Sequence, residues 1–123
     1  MVKGIGIDVV EIGRVGEMLD RWGSRFLEKI FTEREISYVE SKVNPAQHLA
    51  ARFAAKEAFA KAAATGMNGG FRWKDIEVSN VESGKPTIVL YGNSRKLFGE
   101  CRIFVSITHS ALVASAVVII EKL

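Results

Sequence analysis

The stretch AQHLAARFAAKEAFAKAAATG, Ala46 to Gly66, decides how the rest of this 123-residue chain is read. Leu49, Phe53, Ala60 and Ala64 recur at helical spacing, and no Gly or Pro interrupts before Gly66. Alanine loses no side-chain entropy in a helix, so the composition favours that state. It also leaves a nearly flat surface, which another backbone or a ligand can approach closely. Lys56, Glu57 and Lys61 are set into this surface. Glu57 falls beside Phe53, Ala60 and Lys61, at the edge of the apolar stripe, where a carboxylate is costly unless a cation or hydrogen bonds satisfy it. Two readings stand at this point: an exposed i,i+4 pair of Glu57 with Lys61, or a ligand site.

Upstream, Val2–Val10 reads as a strand with Ile5, Ile7 and Val9 on one face and Gly4, Gly6 and Asp8 on the other. Asp8 therefore has neighbours without side chains, as close backbone approach requires. The run begins like a dinucleotide fingerprint, but Val9 stands where the next Gly would be, which excludes that fold. By itself Asp8 is equally a turn residue ending the strand. Glu11–Trp22 reads as a helix whose apolar face is Ile12, Val15, Met18 and Leu19. Arg14 and Arg21 share a second face that Arg25 extends, as a solvated stripe or as a surface for an acidic partner. Phe26–Phe31 is a short helical turn. Thr32 and Glu35 form a capping box for a helix to about Ser41, and Asn44-Pro45 breaks the chain before the long helix.

Downstream, Thr65–Gly70 is a turn, and Lys74–Ser79 and Thr87–Leu90 are strands joined through Ser83-Gly84-Lys85-Pro86. Gly92–Glu100 is a short amphipathic helix. Ile103–Thr108 and Ala114–Ile120 are strands around a loop carrying His109 and Ser110. Strand, helices, then strands predict an α+β fold, a mainly antiparallel sheet against a long central helix, in one domain spanning residues 1–123. Net charge +3 and a pI of about 9.2 favour an anionic partner. The basic residues form no dense block and no RNA motif appears, so nucleic acid is not expected; a basic RNA-binding module using Trp22 and Trp73 is the rival from another class. A lone Cys101 excludes an internal disulfide. With no apolar signal region and no membrane-length run, the expected location is cytoplasmic, with no membrane partner. Ser106 and His109 do not make a nucleophile–base pair, because no strained elbow surrounds the serine.

Asp8 and Glu57 are two carboxylates on separate elements, each among small or apolar residues. A magnesium ion is commonly held by such a pair, with phosphate and water completing six oxygens, and Lys61 would complement phosphate charge. In this setting the chain resembles the holo-acyl-carrier-protein synthases, the small trimeric class of 4′-phosphopantetheinyl transferases. The resemblance is carried by Gly4–Ile12 with Arg14, Phe31–Glu35, Arg52–Phe59 with Lys61, Asp75–Val78, Gly84-Lys85-Pro86 and Ser106–Ser110, in family order over nearly the whole chain. One position departs: Ala64 stands where the family usually has Gly, which stiffens the following turn.

The resemblance implies transfer of phosphopantetheine from coenzyme A to a serine of an acyl carrier protein, with 3′,5′-ADP leaving. It implies Asp8 and Glu57 as magnesium ligands and Lys61 against the phosphates, these three forming the catalytic set. It also implies a homotrimer with coenzyme at the subunit boundaries, bordered by Arg52, Thr65, Gly66, Gly84, Lys85, Pro86, His109 and Ser110. Lys85 and Arg52 are the candidates for the 3′-phosphate. Arg14, Arg21 and Arg25 become the face for the acidic carrier, where charge mainly raises the encounter rate. Carrier domains of polyketide or peptide assembly lines are an alternative target, and nucleotide hydrolysis an alternative chemistry.

Overall fold

The computed structural model describes residues 1–64 and 71–123. In chain order the elements are β1 (Val2–Glu11), α1 (Ile12–Trp22), α2 (Ser24–Ile30), α3 (Glu33–Glu40), α4 (Pro45–Ala63), a 3-10 turn (Trp73–Asp75), β2 (Ile76–Asn80), β3 (Pro86–Leu90), α5 (Gly92–Phe98), β4 (Arg102–His109) and β5 (Val113–Glu121). One sheet has the order β1-β5-β4 and the other is the β2–β3 hairpin; every pairing is antiparallel. The α+β expectation therefore holds. Among the described residues, no helix is long and apolar enough to cross a membrane.

Helix α4 is the core. Asn44 caps it by accepting from the Gln47 amide at 3.3 Å, with Pro45 in the first turn. The sequence suggested one apolar stripe, but Leu49, Ala50, Ala54, Ala55, Ala58, Phe59 and Ala62 are buried on several sides. A small side chain at most positions lets elements pack all around the helix. Strand β1 comes closest: a Cβ on Gly4 would lie 2.0 Å from the Ala62 carbonyl oxygen, and one on Gly6 would lie 2.0 Å from that of Ala58. The two glycines are thus required by contact, as the glycine face of the strand suggested.

This packing inverts the usual arrangement of an amphipathic strand. The glycine face of β1 meets the helix, while Ile5, Ile7 and Val9 stand 65%, 62% and 59% exposed. Phe104 of β4, facing Ile119 of β5 in register with Ile5, is 48% exposed. A continuous apolar sheet face is therefore open to solvent.

The long helix stops before the Gly66 suggested by the sequence. Ala64 is its C-cap, with φ +50°, and is the one described non-glycine residue on the positive-φ side. A Cβ there is strained. Ala64→Gly is therefore expected to raise stability by about 1 kcal/mol, read as a higher thermal midpoint. An unchanged or lower midpoint would show that the strain is absent. The other boundaries shift by a residue or two: α1 starts at Ile12, β2 at Ile76 after the 3-10 turn, and α5 ends at Phe98.

Candidate active site

Strand β1 and helix α4 bring Asp8 and Glu57 together. Their carboxyls lie close enough for each to shift the other's titration, and Lys61 reaches Asp8 Oδ1 at 2.8 Å and the Ile7 carbonyl oxygen at 3.1 Å. The glycine face sets this geometry: Asp8 is two residues beyond Gly6, whose backbone lies on α4 beside Ala58. The exposed i,i+4 pair of Glu57 with Lys61, one of the two sequence readings, does not form. Lys61 crosses instead to Asp8, because β1 is near enough to offer it a partner.

Two acids at this range cannot both ionise freely. Burial, then the hydrogen bond to Asp8 and its charge, push Glu57 up to about 7; the charge of Lys61 opposes this only in part. Burial also acts to raise Asp8, but the bonds from Glu57 and Lys61 outweigh it and hold Asp8 below its ordinary value. Lys61 is raised, chiefly by its bond to Asp8. The Glu57 carboxyl has a higher pKa folded than its ordinary 4.5, so its contribution to stability is complete below pH 4.5 and is lost as pH rises through about 7. Asp8 acts in the opposite sense, contributing above its ordinary 3.8 and losing that contribution in more acid solution. In metal-free protein, stability contributed by this site should therefore fall between pH 4.5 and 7. Thermal melts across that window should show the decline, and Glu57→Gln should flatten it; parallel curves would refute the assignment.

The donor set suits a hard divalent ion. Two crowded carboxyls offer oxygen ligands and relieve their repulsion on binding a cation. Among the described residues no group of three His, Cys, Asp or Glu surrounds a point, so phosphate and water would complete the shell.

A groove of about 430 Å3 opens beside Glu57, lined by Val9, Val10, Arg14, Val15, Met18, Phe26, Ile30 and Phe53. A second, of about 550 Å3, shares Met18, Phe26, Ile30 and Phe53 and continues past Trp22, Arg25 and Lys29 to Trp73. Arg14, Arg21 and Arg25 are all exposed along α1 and α2, as the arginine line implied. Sequence reading did not single out Met18, Phe26 or Phe53 as lining residues. Their helical spacing looks like ordinary core, and only the tertiary packing of α1 and α2 on α4 opens a cleft there. Trp73 is packed against Phe53 and Phe71, with centroids 5.0 and 4.7 Å away, rather than displayed for base stacking.

The other expected residues divide. Arg52 is 4% exposed; its guanidinium lies over Tyr38 and donates to Asn80 Oδ1 at 2.8 Å. Asn80 in turn donates to the Gly84 carbonyl oxygen at 2.8 Å, in the turn that carries Lys85 and leads into Pro86 at the start of β3. His109 contacts Gln47 in the first turn of α4, and the Ser110 hydroxyl accepts from the Leu112 and Val113 amides. Gln47 and Lys61 are about 21 Å apart along the helix axis, so one chain does not bring His109 and Ser110 to Asp8. Thr65 and Gly66 lie outside the described residues.

Next to the carboxyl pair, a buried network ties α4 to the rest. Lys56, adjacent to Glu57, is fully buried and bonds Glu35 Oε1 at 2.7 Å, the Trp73 carbonyl oxygen at 3.0 Å and the Ile76 carbonyl oxygen. Burial pulls the Lys56 ammonium below its usual value, with the charge of Glu35 opposing. Glu35 also accepts from Thr32 N at 3.0 Å, completing the expected capping box, and from Val78 N at 2.9 Å. Glu77, also buried, accepts from Thr32 Oγ1 at 2.6 Å and Tyr91 OH at 3.0 Å.

An α+β chain that sets two acids and a lysine beside a cleft has the makings of a phosphate-handling transferase. The comparisons identify which kind: residues 4–115 match the 4′-phosphopantetheinyl transferase superfamily, and the chain belongs to that family. It is 44% identical to the holo-[acyl-carrier-protein] synthase of Solibacter usitatus, covering 99% of this chain and 100% of the relative. The structure superposes on the Neisseria meningitidis holo-[acyl-carrier-protein] synthase with TM-score 0.90 at 33% identity, covering 99% of this chain and 100% of that one. The Bacillus anthracis enzyme in complex with CoA (3′,5′-ADP) matches with TM-score 0.83 at 37% identity, covering 100% and 99%.

Proposed function

We propose that this chain is a holo-acyl-carrier-protein synthase, moving the 4′-phosphopantetheine group of coenzyme A onto a serine of an apo acyl carrier protein for fatty acid synthesis. The observation that carries this is the meeting of Asp8 and Glu57, with Lys61 on Asp8, beside the cleft that runs to Arg14. The family membership and the relatives' names support the same reading.

The serine oxygen bonds to the β-phosphorus of coenzyme A, the bond from that phosphorus to the bridging oxygen breaks, and adenosine 3′,5′-bisphosphate departs with the electron pair. The serine proton passes to a base, for which Glu57 is the protein's candidate. A magnesium ion held by Asp8 and Glu57 would offset the charge that builds on the diphosphate. Lys61 is placed to hold a phosphate oxygen once it turns from Asp8. The basic residues Arg14, Arg21 and Arg25 would meet an acidic carrier, and Met18 and Phe26 in the cleft would receive apolar groups from it or from the pantetheine arm.

The assembly proposed is the homotrimer. The open apolar face of Ile5, Ile7, Val9 and Phe104 would be covered by other copies. The length of α4 between Gln47 and Lys61 supports a coenzyme that takes His109 and Ser110 from one copy and Asp8 and Glu57 from another. We place the reaction in the cytoplasm and in one domain, residues 1–123.

Incubation with coenzyme A, magnesium and apo acyl carrier protein should add one phosphopantetheine mass to the carrier. No mass gain, with free phosphopantetheine released to water, would convert the reading to a hydrolase. A panel of fatty acid, polyketide and peptide carriers would rank the targets.

A further inference from the structure

We infer that Asn80 is a positioning residue for the coenzyme-binding turn, coupling the backbone of Gly84 to the buried guanidinium of Arg52. The inference rests on the reading that Gly84, Lys85 and Pro86 border coenzyme A.

The hairpin register ends at the pair Asn80 with Pro86, leaving residues 81–85 as the turn. Inside it, Val81 N donates to the Lys85 carbonyl oxygen at 3.0 Å, and Gly84 N donates to that of Val81 at 2.8 Å. Gly84 has φ +87° with open space around its Cα, so glycine serves the backbone there and not the packing. Residues 81–85 are all exposed, and their two internal bonds shape the turn without fixing its direction. The Asn80 side chain does fix it. Its Nδ2 donates to the Gly84 carbonyl oxygen at 2.8 Å, and its Oδ1 accepts from Arg52 Nη2 at 2.8 Å.

The amide orientation is forced. Arginine has donors and no acceptor, so Oδ1 must face Arg52; a carbonyl is an acceptor, so Nδ2 must face Gly84. No other side chain of this length offers an acceptor to one side and a donor to the other. Aspartate would keep Arg52 and set a carboxylate oxygen against the Gly84 carbonyl. Arg52 is itself a firm anchor, buried on α4 with its guanidinium 4.2 Å from the Tyr38 ring. The Arg52 to Asn80 to Gly84 relay therefore holds the turn to the same helix that carries Glu57 and Lys61. The loss of one such bond shows where the turn must be pre-formed, which is coenzyme capture, and not in the chemistry.

The test compares wild type with Asn80→Ala and Asn80→Asp in the carrier-modification assay, with binding of 3′,5′-ADP by calorimetry and thermal melts. Expected is a rise of about five- to tenfold in KM for coenzyme A and in Kd for 3′,5′-ADP in both variants. The kcat at saturating coenzyme, the carrier KM and the magnesium requirement should stay within about twofold, as for an ordering bond remote from the reacting atoms. Unchanged KM and Kd would overturn the inference, and so would a fall in kcat tracking a lowered thermal midpoint, the sign of a merely structural bond. Wild type that transfers nothing would sink the reading of the site itself, and the inference with it; active wild type with unchanged variants would sink the inference alone.

Discussion

Asp8→Ala is expected to lower phosphopantetheine transfer by at least about 100-fold, equivalent to about 3 kcal/mol of transition-state stabilisation. The carboxylate is one of two protein ligands proposed for the ion that offsets charge on the diphosphate, and Lys61, an ammonium with no acceptor, cannot replace it as a ligand. Stability should respond differently. In metal-free protein the substitution removes the neighbour that, with burial, drives Glu57 up to about 7, so the thermal midpoint should hold or rise slightly near neutral pH. The ion pair it breaks has its Lys61 side exposed to solvent and contributes little. Turnover in saturating magnesium, compared with melts of the same preparation, separates the two effects. Near-wild-type transfer would show that Asp8 holds no ion that matters.

Lys56→Met should produce the largest loss of fold. The ammonium has three N–H donors, and all three are used: by Glu35, by the Trp73 carbonyl and by the Ile76 carbonyl. Removing it leaves the fully buried Glu35 charged without its closest cation. Breaking one side of such a pair costs about 3–5 kcal/mol, a fall in midpoint on the order of 15 °C for a chain of this size. The double substitution Lys56→Met with Glu35→Gln should recover part of that, because the uncompensated charge is gone. Denaturant melts of the double variant and of each single variant give the answer; a double mutant less stable than wild type by the sum of the two separate effects would show that the pair is not coupled.

These two lysines on α4 illustrate what the sequence discloses. Local signals were legible: the capping box at Thr32 and Glu35, the Asn44-Pro45 start, the alternation of β1 and the hairpin around Gly84 each depend on neighbouring residues. The meeting of Asp8 with Glu57 was legible as well, since glycines flanking an acid and small residues around another both signal close approach. Lys56 was not. On a helix of alanines nothing local distinguishes a lysine that enters the core from one that points to water; the difference is made by Glu35, which is 21 positions earlier and whose cap role disguises its second task. The destination of Arg52 was hidden for the same reason, because Asn80 lies on a strand 28 residues away. Nor did the helix sequence reveal that Lys61 would cross to another element, which depends on how deeply β1 settles.

That settling has an outcome for how the protein tolerates change. Gly4 and Gly6 act as a spacer of zero thickness between the strand and the carbonyls of Ala62 and Ala58. Any methyl there wedges α4 outward and widens the gap that Asp8 and Glu57 must share. In a library sampling every residue, columns 4 and 6 should therefore be as blank as column 8, and for enzymatic reasons as much as for folding, although neither glycine has a side chain with which to touch the coenzyme.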